Sequence, residues 1–126
     1  MTHTRRRIAV VEDNADNRLL LSCVLSEQYD LAMYEDGLSA LTAFFAAAPD
    51  LVLLDLSLPD VSGEEVVRAM RAAPALQAVP FIAVTANAMQ GDRERFLAAG
   101  CTDYISKPIV DLRGLRDRIA ALLSAA

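Results

Sequence analysis

Tryptophan is absent from this chain of 126 residues, lysine occurs once and cysteine twice. No apolar run approaches the ~20 residues that a helix needs to cross a bilayer, which excludes helical membrane-spanning classes. The opening MTHTRRRIAVVED is basic at first, but Glu12 and Asp13 follow only a short apolar run, and this is not the layout of a secretory leader. The expectation is a cytoplasmic protein with no membrane partner. Cys23 and Cys101 fit no CxxC or metal-ligand spacing, and among apolar or small neighbours both read as buried, reduced thiols. A basic stripe is also missing. Net charge is −5 and the arginines are scattered apart from Arg5–Arg7, which argues against nucleic-acid binding. That triplet reads as a solvated leader to the first strand. No repeat, low-complexity block or linker interrupts the chain, so residues 1–126 are expected to form one domain, long enough for a real hydrophobic core.

What the sequence does have is alternation. Arg7–Val11 reads as a strand and 15–26 as a helix; 30–34 is a weaker strand, and 38–47 a helix that Asp36 could cap. Residues 51–54 form a strand, and 64–72 a helix opened by Ser62 and Glu65 at capping-box spacing. Residues 81–84 are a strand, 92–99 a helix closed by Gly100, 103–106 a short strand and 111–125 a helix. Five strands alternating with five helices imply a parallel sheet covered on both faces. Strands buried on both faces should be continuously apolar, as IAVV, LVLL and FIAV are. Right-handed crossovers leave few topologies. The flavodoxin-like doubly wound (βα)5 order 2-1-3-4-5 is the α/β arrangement expected.

Each apolar strand stops on a polar residue. The first ends at Glu12-Asp13, the third at Asp55 in PDLVLLDLSLPD, the fourth at Thr85, and the fifth runs to Lys107-Pro108. Parallel strands share one carboxyl edge, and open α/β sheets bind ligands outside it where the strand order reverses. Glu12, Asp13 and Asp55 should therefore converge, flanked by Thr85 and Lys107. Two unit charges about 4 Å apart repel by roughly 4 kcal/mol at an effective dielectric near 20. Protonation of one acid would relieve that without evident purpose. A hard divalent cation would relieve it usefully, and Mg²⁺ needs only one or two protein carboxylates beside its waters and phosphate oxygens. The backbone carbonyl of Ser57 could add a ligand.

Of twelve basic residues eleven are arginine, so Lys107 is the lone lysine. A compact ammonium suits a single oxyanion better than the guanidinium fork does, and a cis Lys-Pro bond could aim it inward. These groups fit phosphoryl transfer onto a carboxylate, with Asp55 as nucleophile and Thr85 and Lys107 holding phosphoryl oxygens.

The set VVEDN, LVLLDLSLPDVSGEE, IAVTANAM and YISKPI resembles the receiver domain of bacterial two-component response regulators over about residues 6–123. The variety is similar to single-domain regulators of the DivK type and to receivers of hybrid kinases. The resemblance implies Glu12 and Asp13 as acidic metal ligands, Asp55 as phosphoacceptor and Ser57 as a carbonyl ligand of Mg²⁺. It also implies Thr85 as switch hydroxyl, Lys107 as the site lysine, Tyr104 as switch aromatic and Ala86 as a small residue leaving phosphoryl access. A sensor histidine kinase or histidine phosphotransfer protein would be the donor and another protein the target. No DNA-binding output domain is expected. Such a chain is a signalling switch rather than an enzyme, with self-phosphorylation from phosphohistidine and slow autodephosphorylation.

Plainer readings stand beside these. Asp13 could simply cap the first helix, and Tyr104 could be ordinary edge packing. The first helix is apolar on more than one face, and one or two of Leu20, Leu21, Val24 and Leu25 could serve a partner or nothing. A haloacid-dehalogenase-type phosphatase would want a second Asp where Ser57 stands. A pseudo-receiver would lack a site residue. A flavodoxin would need a phosphate-binding loop after the first strand.

Overall fold

The computed structural model describes residues 5–56, 58, 60–85, 92–106 and 111–125. Five strands, β1 (Arg7–Val11), β2 (Asp30–Tyr34), β3 (Leu51–Asp55), β4 (Phe81–Thr85) and β5 (Asp103–Ser106), form one parallel sheet in the order β2-β1-β3-β4-β5. This is the flavodoxin-like arrangement expected. The helices are α1 (Ala15–Leu25), α2 (Gly37–Ala46), α3 (Gly63–Ala72), α4 (Asp92–Ala99) and α5 (Leu112–Ala125). A 3-10 turn over Pro74–Leu76, absent from the sequence reading, follows α3.

Alternate strand residues serve opposite faces because the side-chain period of a strand is two. Ala9, Val11, Val52, Leu54, Phe81 and Ala83 pack with Ala40 and Phe44 of α2 and Val66, Val67 and Met70 of α3. Ile8, Val10, Leu51, Leu53 and Ile82 pack with α1 through Leu21, Val24 and Leu25, and with α5 through Leu115, Ile119 and Leu123. With both faces covered, β3 and β4 have no exposed position, which explains their unbroken apolar runs.

The helix starts are specified locally. Asn14, Asp36 and Ser62 each accept a hydrogen bond from the backbone N–H three residues on. The cap of α1 is thus Asn14, which leaves Asp13 for another role. Asp111 stands just before α5 and accepts from Gly114 N at 2.8 Å. A side chain at Gly114 would collide with that carboxylate, so the glycine that weakens helix propensity makes room for the cap. Gly100, at φ +123°, closes α4 as expected.

Two sequence expectations need correcting. Cys101 is buried but Cys23 is exposed. Cys23 lies on a helix whose apolar residues encircle it, so periodicity cannot choose the buried face. Of the four apolar residues of α1 singled out, Leu20 is exposed and Leu21, Val24 and Leu25 are buried; Leu19 is exposed as well. Arg5–Arg7 is also more than a solvated leader. Arg5 donates to the Ser26 and Tyr29 carbonyls and lies 3.6 Å from Asp30, and Arg7 donates to the Ala48 carbonyl.

Arg71 of α3 is half-buried. Its guanidinium donates to the carbonyls of Gly100, Leu76 and Gln77 and stacks 4.9 Å from the Phe81 ring. One cation thereby joins α3, the 3-10 turn, β4 and the end of α4, using carbonyls that helix ends leave without intrahelical donors.

Phe44 is buried and meets the Tyr34 ring edge-on at 5.6 Å between centroids. Phe44→Ala should lower unfolding free energy by about 3–5 kcal/mol in a urea titration; a loss under ~1 kcal/mol would mean the site collapses or is not core. Burial pushes the Cys101 thiol up to about 11, so iodoacetamide at about pH 8 should label Cys23 and spare Cys101 in the folded protein. Equal labelling would contradict the packing.

Candidate functional site

The site is built by strand register. Val11 of β1 lies opposite Leu54 of β3, so the next residues along, Glu12 and Asp55, emerge together at the carboxyl edge. Asp55 is itself the last residue of β3 and pairs with Val84 of β4, which brings Thr85 to the same edge one residue later. Glu12, Asp55 and Thr85 are each only 3% exposed, while Asp13 faces solvent. One carboxylate oxygen each from Glu12, Asp13 and Asp55 lie within 4.8 Å of one another.

Like charges at such separations repel by roughly 3–4 kcal/mol per pair at an effective dielectric near 20. An all-oxygen donor set of this kind suits a hard divalent cation. Mg²⁺ fits the donor chemistry, and Glu12, Asp13 and Asp55 are the described residues able to hold it. Two of the three carboxylates are buried and the third, Asp13, is exposed.

The surroundings fix Glu12 from several sides. Its Oε2 accepts from Asn14 N at 3.1 Å and its Oε1 from Asn17 Nδ2 at 3.3 Å. Its backbone N–H donates to the Tyr34 carbonyl at 2.9 Å, and its carbonyl accepts from Arg18 Nη1 at 2.8 Å. The other arm of Arg18 pairs with Glu35 at 3.1 Å. The start of α1 therefore clasps the ends of β1 and β2. Asn14, Asn17 and Arg18 were not singled out from the sequence. The string NADNR places asparagines at capping spacing beside the acid pair, and that signal could have found the first two.

The segment leaving Asp55 is fastened as well. Leu56 N donates to the Val84 carbonyl at 3.0 Å, and a side chain at Gly63 would collide with Leu56. Asp60 accepts from Gly37 N at 3.0 Å and Leu38 N at 2.9 Å, and these amides hold its carboxyl below the usual carboxylate range.

Tyr104 is half-buried and packs against the core face that α2 and α3 cover. It belongs to β5 and lies opposite Ala83 of β4. Ser57, Ala86 and Lys107 lie outside the described residues. Among the described residues no helix is long and apolar enough to cross a membrane.

Comparison with known proteins places this geometry in context. The response regulator receiver domain family matches residues 8–120. The polar-differentiation response regulator DivK of Brucella anthropi is 42% identical over 105 residues, covering 82% of this chain and 85% of that protein. Among solved structures, the receiver domain of sensor histidine kinase PA1611 from Pseudomonas aeruginosa is 34% identical with a TM-score of 0.88. The match covers 96% of this chain and 99% of that one, and its crystal structure has a magnesium ion coordinated in the active-site cleft. A co-crystal structure of the Saccharomyces cerevisiae histidine phosphotransfer protein Ypd1 with the receiver domain of Ssk1 matches with a TM-score of 0.83 and 27% identity, over 95% of this chain and 90% of that one.

Asp13→Ala should weaken Mg²⁺ binding by at least about tenfold in a calorimetric titration, because it deletes one of three converging carboxylates. Unchanged affinity would remove Asp13 from the ligand set.

Proposed function

This chain belongs to the response regulator receiver domain family, and from that premise we propose that it is a phosphoacceptor switch whose site takes a phosphoryl group on Asp55 with Mg²⁺ as cofactor. The observation that carries the reading is the convergence of the Glu12, Asp13 and Asp55 carboxylate oxygens within 4.8 Å at the carboxyl edge of the sheet.

The donor is the phosphohistidine of a sensor kinase or a histidine phosphotransfer protein. The PA1611 and Ypd1–Ssk1 structures support both the cation and that partner class. An Asp55 carboxylate oxygen attacks phosphorus, the P–N bond breaks, and its electron pair returns to the imidazole nitrogen. Bound Mg²⁺ would supply charge neutralisation for the phosphoryl oxygens. Glu12, Asp13 and Asp55 would hold it, with the Ser57 carbonyl as a further ligand. Lys107 gives a point charge to one phosphoryl oxygen and the Thr85 hydroxyl donates to another. Ala86 leaves access for the group. Slow hydrolysis of the acyl phosphate resets the switch, so the reaction is signalling rather than turnover of a substrate pool.

Phosphorylation adds up to about two negative charges and strong acceptor oxygens. Moving a two-state equilibrium from 1:99 to 99:1 needs about 5.5 kcal/mol of preference for one state. A dianion set among a cation, Lys107 and Thr85 is an adequate source. Thr85 moves toward the phosphoryl group, Tyr104 turns into the space released, and the face made by α4, β5 and α5 changes shape. The output is a protein target, with neither nucleic acid nor membrane as partner, from one receiver domain over residues 1–126 acting in the cytoplasm.

Incubation with Mg²⁺ and acetyl phosphate should add one phosphoryl mass to the intact protein. Asp55→Asn should abolish the addition. Labelling that persists in that variant would refute Asp55 as acceptor, and no labelling with or without Mg²⁺ would favour an unmodified scaffold.

A further inference from the structure

The amino end of α2 carries more acid than a helix start requires. Asp36 already caps it, its Oδ1 accepting from Ser39 N at 2.8 Å. Asp60 supplies a second carboxylate from far along the chain, and its two oxygens take Gly37 N and Leu38 N separately. The first three helical N–H groups are thus all bound to carboxylate oxygens, two of them by a residue more than twenty positions along the chain. The backbones also approach closely there. A side chain at Gly37 would collide with Val61, and Leu58 lies just beyond.

The other end of this segment is held at β4, where Leu56 N donates to the Val84 carbonyl and the Leu56 side chain lies against Gly63. Asp55 immediately precedes Leu56. The Ser57 carbonyl, proposed above as a cation ligand, falls between the two anchors in sequence. The Asp60 anchor reaches across to α2 through two hydrogen bonds.

We infer that Asp60 is a positioning residue for the cation site, fastening the segment that leaves Asp55 to the amino end of α2. This rests on the reading of Glu12, Asp13 and Asp55 as that site. Asp60 acts through the backbone it ties to α2, not by contact with the cation or the phosphoryl group. Positioning partners of metal ligands commonly matter by tenfold or more in affinity. The two amides keep Asp60 ionised through the neutral range, so the tether persists wherever the site would work.

Asp36 provides the control, because it caps the same helix by accepting from Ser39 N, within α2 itself. Mg²⁺ titrations followed by amide NMR, with urea unfolding of each protein, should compare wild type, D36A and D60A. Both substitutions should lower stability. D60A should weaken Mg²⁺ binding about tenfold while D36A leaves it unchanged. D60N, which keeps one acceptor oxygen, should show a smaller loss in the same direction, and it carries the comparison if D60A does not fold. Equal affinity losses in D36A and D60A, or no loss in D60A and D60N, would overturn the inference and leave the site reading intact. Failure of the wild type to bind Mg²⁺ saturably would instead overturn both.

Discussion

Carboxylates crowded at one end of a parallel sheet repel one another, and that repulsion is the constraint around which the rest of this molecule is arranged. Glu12 and Asp55 reach the rim because β1 and β3 are neighbours in register, and Asp13 follows by one residue. Charge buried this way is unfavourable unless something opposite in sign occupies the gap. A fold can keep such a cluster only if the backbone beneath cannot yield. Here it is a sheet sealed on both faces by aliphatic side chains, with β3 buried along its whole length.

The polar scaffold around the rim extends that rigidity. Arg18 bridges the end of β1 to Glu35 just past β2, while Asp60 bridges the segment after β3 to the start of α2. Most of these bonds join a charged side chain to the backbone rather than to another charged side chain. A charged partner strengthens a hydrogen bond, and a backbone partner fixes its position. Arg71 works the same way at α4, tying its end to α3 through carbonyls. The sheet edge from β2 to β3 is therefore strapped at several points. The opposite edge, β4 and β5, is where the proposed switch groups Thr85 and Tyr104 stand.

Much of this was legible in the residues alone. Continuous apolar runs ending in acids announced both the strands and the edge where the acids converge, and handedness with alternation left few strand orders, among them the one observed. Helix starts at Asp36 and Ser62 were written in capping chemistry. What stayed hidden has a common cause. Asp60 is an acid in a loop whose partners are backbone amides more than twenty residues earlier, and no periodic pattern records such a bond. Arg18 looks like any cation on a helix until its strand neighbours are known. The orientation of α1 was unreadable because Leu19, Leu20 and Cys23 are as apolar as the residues that are buried. Gly114 lowers the helix propensity of α5, and its role as a space for the Asp111 carboxylate shows only in the fold.

The central claim is that the acidic rim is a divalent cation site. Paramagnetic Mn²⁺ added below stoichiometry to the ¹⁵N-labelled protein tests it most directly. Amide signals near Glu12, Asp13 and Asp55 should broaden first, excess Mg²⁺ should restore them, and distant amides of α5 should keep their intensity. Uniform broadening, or broadening centred elsewhere on this acidic surface, would contradict the account.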